Sequence, residues 1–397
     1  MCHARVMSGP VLVFSRPFRA PDQERYISEV LASGHVHGDG PFTTAASELL
    51  QAITEAPRAL LTTSCTHALE LAGVLLDLGP GDEVIVPSFT FSSTAAAIAI
   101  RGATPVFVDI DPRTLCLDVD LAAAAVTERT RALYTVHYGG VGHRLDELTA
   151  LCDRHGLVLV EDNAHGLGAR WRGRSLGTFG ALATQSFHDT KNVHCGEGGA
   201  LLINDVQRFA ERAEIIREKG TNRGMFLRGQ VDKYTWVDAG SSYLPSDLLA
   251  ALLLAQLESF EQIQAGRMAV WERYARDLTD WARQTGASLM QVPDDVEHPA
   301  HVFYLLMPDH AGQVGLLGHL KERGVIGTFH YQPLDSSPAG QRLGRTPVPC
   351  SVTADVASRL VRLPLWPDLT EPDLDRIVAA VTSYPGASAS YPGASAS

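Results

Sequence analysis

Five short apolar runs, at residues 83–87, 106–110, 132–136, 157–160 and 200–203, recur along the first half of the chain with helix-like segments between them. A strand that is apolar along its length is buried on both faces, as in a parallel sheet covered by helices. Strands alternating with helices make βαβ units, so the expected fold is α/β with a mostly parallel sheet. Residues 248–260 then read as a helix, with Pro245-Ser246-Asp247 as its start signal. From about Glu261 a long helix and shorter mixed elements follow. The expected organisation is a large domain with an amino-terminal arm (1–260), a smaller carboxy-terminal α+β domain (261–383) and a low-complexity tail (384–397) in which YPGASAS occurs twice.

Length and charge narrow the function classes. With 397 residues and 45% hydrophobic content the chain can bury a large core. A formal net charge of −12 argues against nucleic acid or an anionic membrane as the main partner. No stretch reaches the ~18 apolar residues of a membrane span, and the amino terminus shows no signal-peptide pattern, so a cytoplasmic enzyme is expected. The six cysteines, at positions 2, 65, 116, 152, 195 and 350, form no C-x-x-C pair and no tight Cys/His spacing, which supports neither a metal site nor a disulfide framework. No lysine follows a glycine, which removes a Walker A loop, and the glycines at 139–142 and 196–199 lack dinucleotide-fingerprint spacing.

Amine chemistry is where the residues are most specific. Lys191, Lys219, Lys233 and Lys321 are the only lysines among 33 basic Lys and Arg residues. Lys191 ends Ser186-Phe187-His188-Asp189-Thr190-Lys191, after a strand-like run and before Gly196-Glu197-Gly198-Gly199. Arginine stays protonated, whereas a desolvated lysine loses its proton near neutral pH and can hold an aldehyde cofactor as a Schiff base. The simpler alternative is a solvated surface lysine. Upstream, the run 157–160 continues into Glu161-Asp162. A carboxylate at the carboxyl end of such a strand points into the crevice where ligands of open α/β sheets gather. There it would keep the ring nitrogen of pyridoxal 5′-phosphate (PLP) protonated, or it caps the next helix. Thr62-Thr63-Ser64-Cys65-Thr66-His67 leads into the apolar-periodic run 68–78, and its hydroxyls and amides suit the 5′-phosphate as well as plain capping. Ser186 would add a hydroxyl to that group. Singly ambiguous, the three segments together favour PLP.

A resemblance extends this reading. Gly81-Asp82-Glu83-Val84-Ile85-Val86-Pro87-Ser88-Phe89-Thr90-Phe91, followed by Gly102-Ala103-Thr104-Pro105-Val106-Phe107-Val108-Asp109, resembles the DegT/DnrJ/EryC1/StrS sugar aminotransferases. Val160-Glu161-Asp162, Ser186 to Lys191 and Gly196-Glu197-Gly198-Gly199-Ala200 continue the likeness in the same order, over nearly the whole chain ahead of the tail. Arg217-Glu218-Lys219-Gly220-Thr221-Asn222-Arg223 and Arg228-Gly229-Gln230-Val231-Asp232-Lys233-Tyr234-Thr235-Trp236 resemble the family's WecE-type branch, which aminates dTDP-4-keto-6-deoxyglucose at C4 with L-glutamate as donor. The resemblance implies the fold type I PLP architecture, a pyridoxamine 5′-phosphate form between the half-reactions, and a homodimer whose active sites draw on both subunits. Lys191 would hold the cofactor and then shuttle a proton, Asp162 would pair with the ring nitrogen, and Phe91 would stack on the ring. Ser64, Cys65 and Ser186 would contact the phosphate. His165 stands where the family usually has glutamine near the cofactor's 3-oxygen.

Departures from the family pattern mark the substrate side. Ser242 stands where many members place an asparagine that reaches the neighbouring subunit's phosphate, and Tyr331-Gln332-Pro333-Leu334-Asp335 ends without the family's histidine. His330, Tyr331, Lys219 and Arg223 are the sugar-nucleotide candidates; Tyr331 also fits a core position, and Lys219 and Arg223 a solvated helix end. His188 either orients the sugar near C4 or makes a structural hydrogen bond at the sheet edge. The expected function is PLP-dependent transfer of the amino group of L-glutamate to C4 of dTDP-4-keto-6-deoxyglucose. Another keto-sugar nucleotide, amination at C3, or a PLP-binding regulator without turnover are the alternatives. The family's 3-dehydratases carry histidine in place of the lysine, and Lys191 is intact. Substitutions around Asn163, His165 and 193–195 leave room for a natural-product deoxysugar route of the enediyne (calicheamicin) kind. The stereochemistry of the new amine stays open.

Overall fold

Val84, Ile85, Val86, Val106, Ala132, Leu133 and Val160 have no measurable exposure, so the central strands are buried on both faces as their unbroken apolar character requires. The computed structural model describes residues 10–386; Cys2 and most of the YPGASAS tandem lie outside the described residues. The strands, in chain order, are β1 (Arg58–Thr62), β2 (Glu83–Pro87), β3 (Thr104–Val108), β4 (Thr130–Val136), β5 (Val158–Asp162), β6 (Arg170–Trp171), β7 (Arg174–Ser175), β8 (Leu182–Ser186), β9 (Gly199–Ile203), β10 (Ser288–Leu289), β11 (Val296–Glu297), β12 (Tyr304–Leu306) and β13 (Leu360–Arg362). Seven of them form one sheet in the order β1-β9-β8-β5-β4-β2-β3. The pairs β2–β3, β2–β4, β4–β5 and β5–β8 are parallel, and β9 alone runs against its neighbours β8 and β1.

All five runs read from the sequence are strands of this sheet, with shifted ends in all but β2. The run expected at 106–110 begins at Thr104, because Pro105 sits in the edge strand β3, where a missing N–H costs little. Asp109 leaves the strand and instead accepts the amide of Thr353 at 2.8 Å. β1 and β8 were not among the five. In β8 the polar Thr184 and Gln185 interrupt the apolar pattern yet are buried, since this strand runs under the site.

The helix expected from 68–78 spans Cys65–Leu75, capped by Ser64. Ser246 caps the helix Asp247–Glu258, and the long helix Phe260–Asp277 follows. Beyond it, β10, β12 and β13 form an antiparallel three-stranded sheet whose core includes Phe303, Leu305, Leu320 and Trp366. Leu12, near the start of the described chain, bridges to Val325 and is buried in that same core. Tyr384, first residue of the tandem, is buried there too, and its carbonyl accepts Trp281 Nε1–H at 2.9 Å. Among the described residues, no helix is long and apolar enough to cross a membrane and no group of three or more His, Cys, Asp or Glu is placed to hold a metal ion.

Candidate active site

Sheet register assembles the first wall of the site. Val136, Asp162 and Thr184 lie side by side on β4, β5 and β8, and Ser186, Gly199 and Thr62 form a second row on β8, β9 and β1. Both rows fall at the carboxyl-end edge of the parallel strands, where open α/β sheets place their ligands. A cavity of about 300 Å³ opens over them and is lined by Asp162, Ser186 and Lys191. Ser64, Cys65, Phe91, His165, His188, His330 and Tyr331 line it as well, so ten of the candidate residues meet in one place.

Asp162 is buried, and both of its carboxylate oxygens are engaged. Thr94 Oγ1–H donates to Oδ2 at 2.7 Å, and the Ala164 amide donates to Oδ1 at 3.2 Å. The second bond closes a local turn and not the helix cap that the simpler alternative expected, since β6 and no helix follows β5; the first comes from another helix and fixes the carboxylate's direction. Thr94 carries no sequence signal beyond being a hydroxyl early in a helix, and sequence reasoning missed it. Lys191 follows a loop tied down by the bonds Phe187 N–H to Gly198 O (2.8 Å) and Asp189 N–H to Gly196 O (2.9 Å). Burial pushes its pKa down from 10.5 to about 8, with the Arg362 charge adding to the effect and Asp162 opposing it. A fraction of this amine is therefore neutral near physiological pH.

The helix start beside it is an anion cradle. Ser64 Oγ accepts the His67 amide at 3.0 Å, an ordinary cap. The amides of Cys65 and Thr66 precede the first intrahelical donor and pair with no acceptor among the described residues. Gly199 lets this turn lie flat on the sheet: a Cβ there would stand 2.3 Å from the Cys65 nitrogen. Burial pushes the Cys65 thiol well above its ordinary range, so it serves as a neutral donor, 3.5 Å from Thr184 Oγ1. Phe91 is 59% exposed, an open aromatic face on the rim of the cavity.

The opposite wall comes from residues after 300, with His165 packed against them. Burial holds His165, His301 and His330 below the ordinary imidazole range, aided by the charges of Lys191 and Arg362. Their hydrogen bonds fix the tautomers. His165 Nδ1 accepts the Gly139 amide at 3.2 Å, so its proton is on Nε2 and is donated to Tyr331 Oη at 3.3 Å. His301 Nδ1–H donates to Asn192 Oδ1 at 2.8 Å, since the Asn192 amide NH2 is already spent on Gln264 and the Pro299 carbonyl. His330 Nε2 accepts from Arg362 Nη1, leaving Nδ1–H for Tyr138 Oη at 3.3 Å. His301 and Arg362 were not foreseen. The one available signal for Arg362 was a charge inside the apolar run Leu360-Val361-Arg362-Leu363.

Three candidates lie elsewhere. Lys219, Arg223 and Ser242 do not line the cavity but share the excursion between Arg217 and Tyr243. There the Lys219 amide donates to Ser241 O at 3.0 Å, and Lys219 and Arg223 both face Glu218, at 3.2 and 3.8 Å. His188 lines the cavity, with Nδ1 3.0 Å from Thr190 Oγ1 and 2.9 Å from Asp189 Oδ1.

This arrangement fits PLP: a desolvated primary amine, an oriented carboxylate, an amide-and-hydroxyl cradle and an exposed aromatic face around one cavity. Comparison with known proteins agrees. The profile of the DegT/DnrJ/EryC1/StrS aminotransferase family matches residues 19–382. The aminotransferase TlmJ from Streptoalloteichus hindustanus is similar at 30% identity with a TM-score of 0.85, covering 94% of this chain and 98% of its own. DesV of S. venezuelae is 31% identical with a TM-score of 0.85, covering 95% of this chain and 99% of its own. Spr1654 from Streptococcus pneumoniae, 25% identical, has been solved in a PLP-form (TM-score 0.86) and a PMP-form (0.87), each covering 94% of this chain and 98% of its own.

Proposed function

Because the chain belongs to the DegT/DnrJ/EryC1/StrS aminotransferase family, a family of PLP-dependent sugar aminotransferases, we propose that it transfers the amino group of L-glutamate to C4 of dTDP-4-keto-6-deoxyglucose, giving a dTDP-4-amino-4,6-dideoxyhexose. The observation that carries the chemistry is the pairing, in one cavity, of an amine with a pKa of about 8 and a carboxylate held from two sides. When bound, PLP supplies an electrophilic aldehyde and an electron sink that makes a neighbouring C–H acidic. Lys191 Nζ would hold it and, when neutral, could take up and return a proton. Asp162 keeps the ring nitrogen charged, and Thr94 keeps Asp162 aimed. Phe91 would offer its face to the ring, Ser64, Cys65 and Ser186 would receive the phosphate, and the His165–Tyr331 pair lines the same cavity.

The choice of sugar nucleotide rests on the segments 217–223 and 228–236, which resemble the WecE-type branch. In the described chain they form the excursion that carries Lys219, Arg223 and Ser242 away from the cavity. Phe226, Leu227, Tyr234, Trp236 and Val237 expose between 43% and 75% of their surface on the same excursion. A homodimer that covers this patch and inserts its polar residues into the partner's site accounts for both facts. Cys65, Cys116, Cys152, Cys195 and Cys350 are free thiols, which favours the reducing cytoplasm.

The test is the visible absorbance of PLP-loaded protein on addition of L-glutamate and then of dTDP-4-keto-6-deoxyglucose. The cofactor band should be lost with the first and return with the second, with NMR placing the new amine at C4. A response to glutamate but not to this sugar moves the reading to another keto-sugar nucleotide or to C3. A band that ignores glutamate leaves a PLP-binding regulator.

A further inference from the structure

Among the described residues three arginines are buried to nine-tenths or more, and two have conventional partners. Arg217 Nη2 donates to the Asp39 carboxylate at 2.7 Å. Arg267 donates from Nε and Nη2 to the carbonyls of Ala300 (3.1 Å) and His301 (2.7 Å). Arg362 has neither. Its Nη1 meets the lone pair of neutral His330, its Cζ lies 4.6 Å from the centre of the Phe14 ring, and Nε has no partner among the described residues. Among the described residues no carboxylate pairs with it. A buried guanidinium without a counter-anion is costly, and its planar edge matches a carboxylate.

Arg362 also lines the same cavity as Lys191, as do its two restraints, Phe14 and His330. The carboxylates of that cavity are engaged elsewhere: Asp162 by Thr94 and Ala164, while Glu197 lies 3.6 Å from His188. We propose that Arg362 binds the α-carboxylate of the amino donor. An amino acid that delivers its nitrogen beside Lys191 brings a carboxylate one bond from the reacting carbon, so its counter-cation must share the inner cavity. The diphosphate of a sugar nucleotide is separated from C4 by the width of the hexose ring and belongs nearer the mouth. His330 and Phe14 act as positioning residues that hold the guanidinium plane for the carboxylate. This assignment rests on the aminotransferase reading.

Two probes separate the anions. Calorimetric titration of the PLP-loaded enzyme with glutarate, a dicarboxylate without an amine, and with dTDP should show Arg362→Gln weakening glutarate about tenfold or more while dTDP changes less than about threefold. In single half-reactions the variant should lose about a hundredfold or more in kcat/KM for L-glutamate, with the keto-sugar half-reaction little changed. Arg362→Lys, which keeps the charge and loses the fork, serves if the glutamine variant does not fold. Its preference for L-glutamate over 4-aminobutyrate, which lacks the α-carboxylate, should fall about tenfold or more. Unchanged glutarate affinity, or a loss confined to dTDP, overturns the assignment. A wild-type enzyme that ignores glutamate defeats the aminotransferase reading instead, and the glutarate and dTDP titrations still report on Arg362.

Discussion

On the sheet side of the cavity Asp162 has both oxygens satisfied by Thr94 and Ala164, and Ser64 is tied to its own helix, whereas on the side built from residues after 300 Arg362 lacks a carboxylate and two imidazoles, His301 and His330, are held neutral. The first wall is set by strand register, and its carboxylate is aimed before any ligand arrives, with the Cys65 and Thr66 amides left for an anion. The second comes from β13 and the loop carrying His330, and it leaves the Arg362 Nε donor unspent. A preorganised wall suits a cofactor that stays through both half-reactions, and an unsatisfied one suits substrates that exchange.

The sharpest break on the cofactor wall is Lys191→Arg. Turnover should fall by about a thousandfold or more, and the cofactor-linked absorbance should vanish, because arginine keeps the charge but cannot give up its proton. Asp162→Asn should come next. Loss of a charge-assisted bond of about 1.5–3 kcal/mol lowers kcat/KM roughly ten- to hundredfold, read by stopped-flow of the glutamate half-reaction. Thr94→Val should cost less, about tenfold in the same assay, since the Ala164 amide still holds Oδ1.

The Lys191 amine also gives a pH signature. Below its pKa of about 8 the nitrogen is protonated and cannot attack, so capture of PLP by unloaded protein should rise with pH up to about 8 and then level off. The stability sign agrees: the folded pKa lies below the 10.5 of the free side chain, so the unfolded chain holds the extra proton between the two values. The Lys191 contribution should therefore make the protein more resistant to urea as pH rises through that window. The smallest expected effect lies outside both walls. Lys219→Ala should raise the KM for the sugar nucleotide severalfold while leaving the glutamate half-reaction alone, as for a rim charge.

Much of the first wall was legible in the sequence. Lys191 stands out because lysine is so rare here, Asp162 because it ends an apolar strand, and the 62–67 turn because its hydroxyls precede a helix. Thr94 was not legible, because a threonine early in a helix has no pattern tying it to a carboxylate 68 residues away. The second wall was read only where family likeness reached it, at His330 and Tyr331. His301 and Arg362 depend on packing that brings segments from opposite ends of the chain together, Phe14 included, and periodicity does not report such long-range contacts. A strand end shifted at the edge-strand Pro105, and β8 was missed because Thr184 and Gln185 break its apolar pattern.

With four lysines in the chain, the claim that the sheet wall holds the cofactor can be tested at one residue. PLP-loaded protein is reduced with borohydride, digested and mapped by mass spectrometry. The account predicts the phosphopyridoxyl mass on the peptide that contains Lys191. The same mass on Lys219, Lys233 or Lys321, or on no lysine, would contradict it.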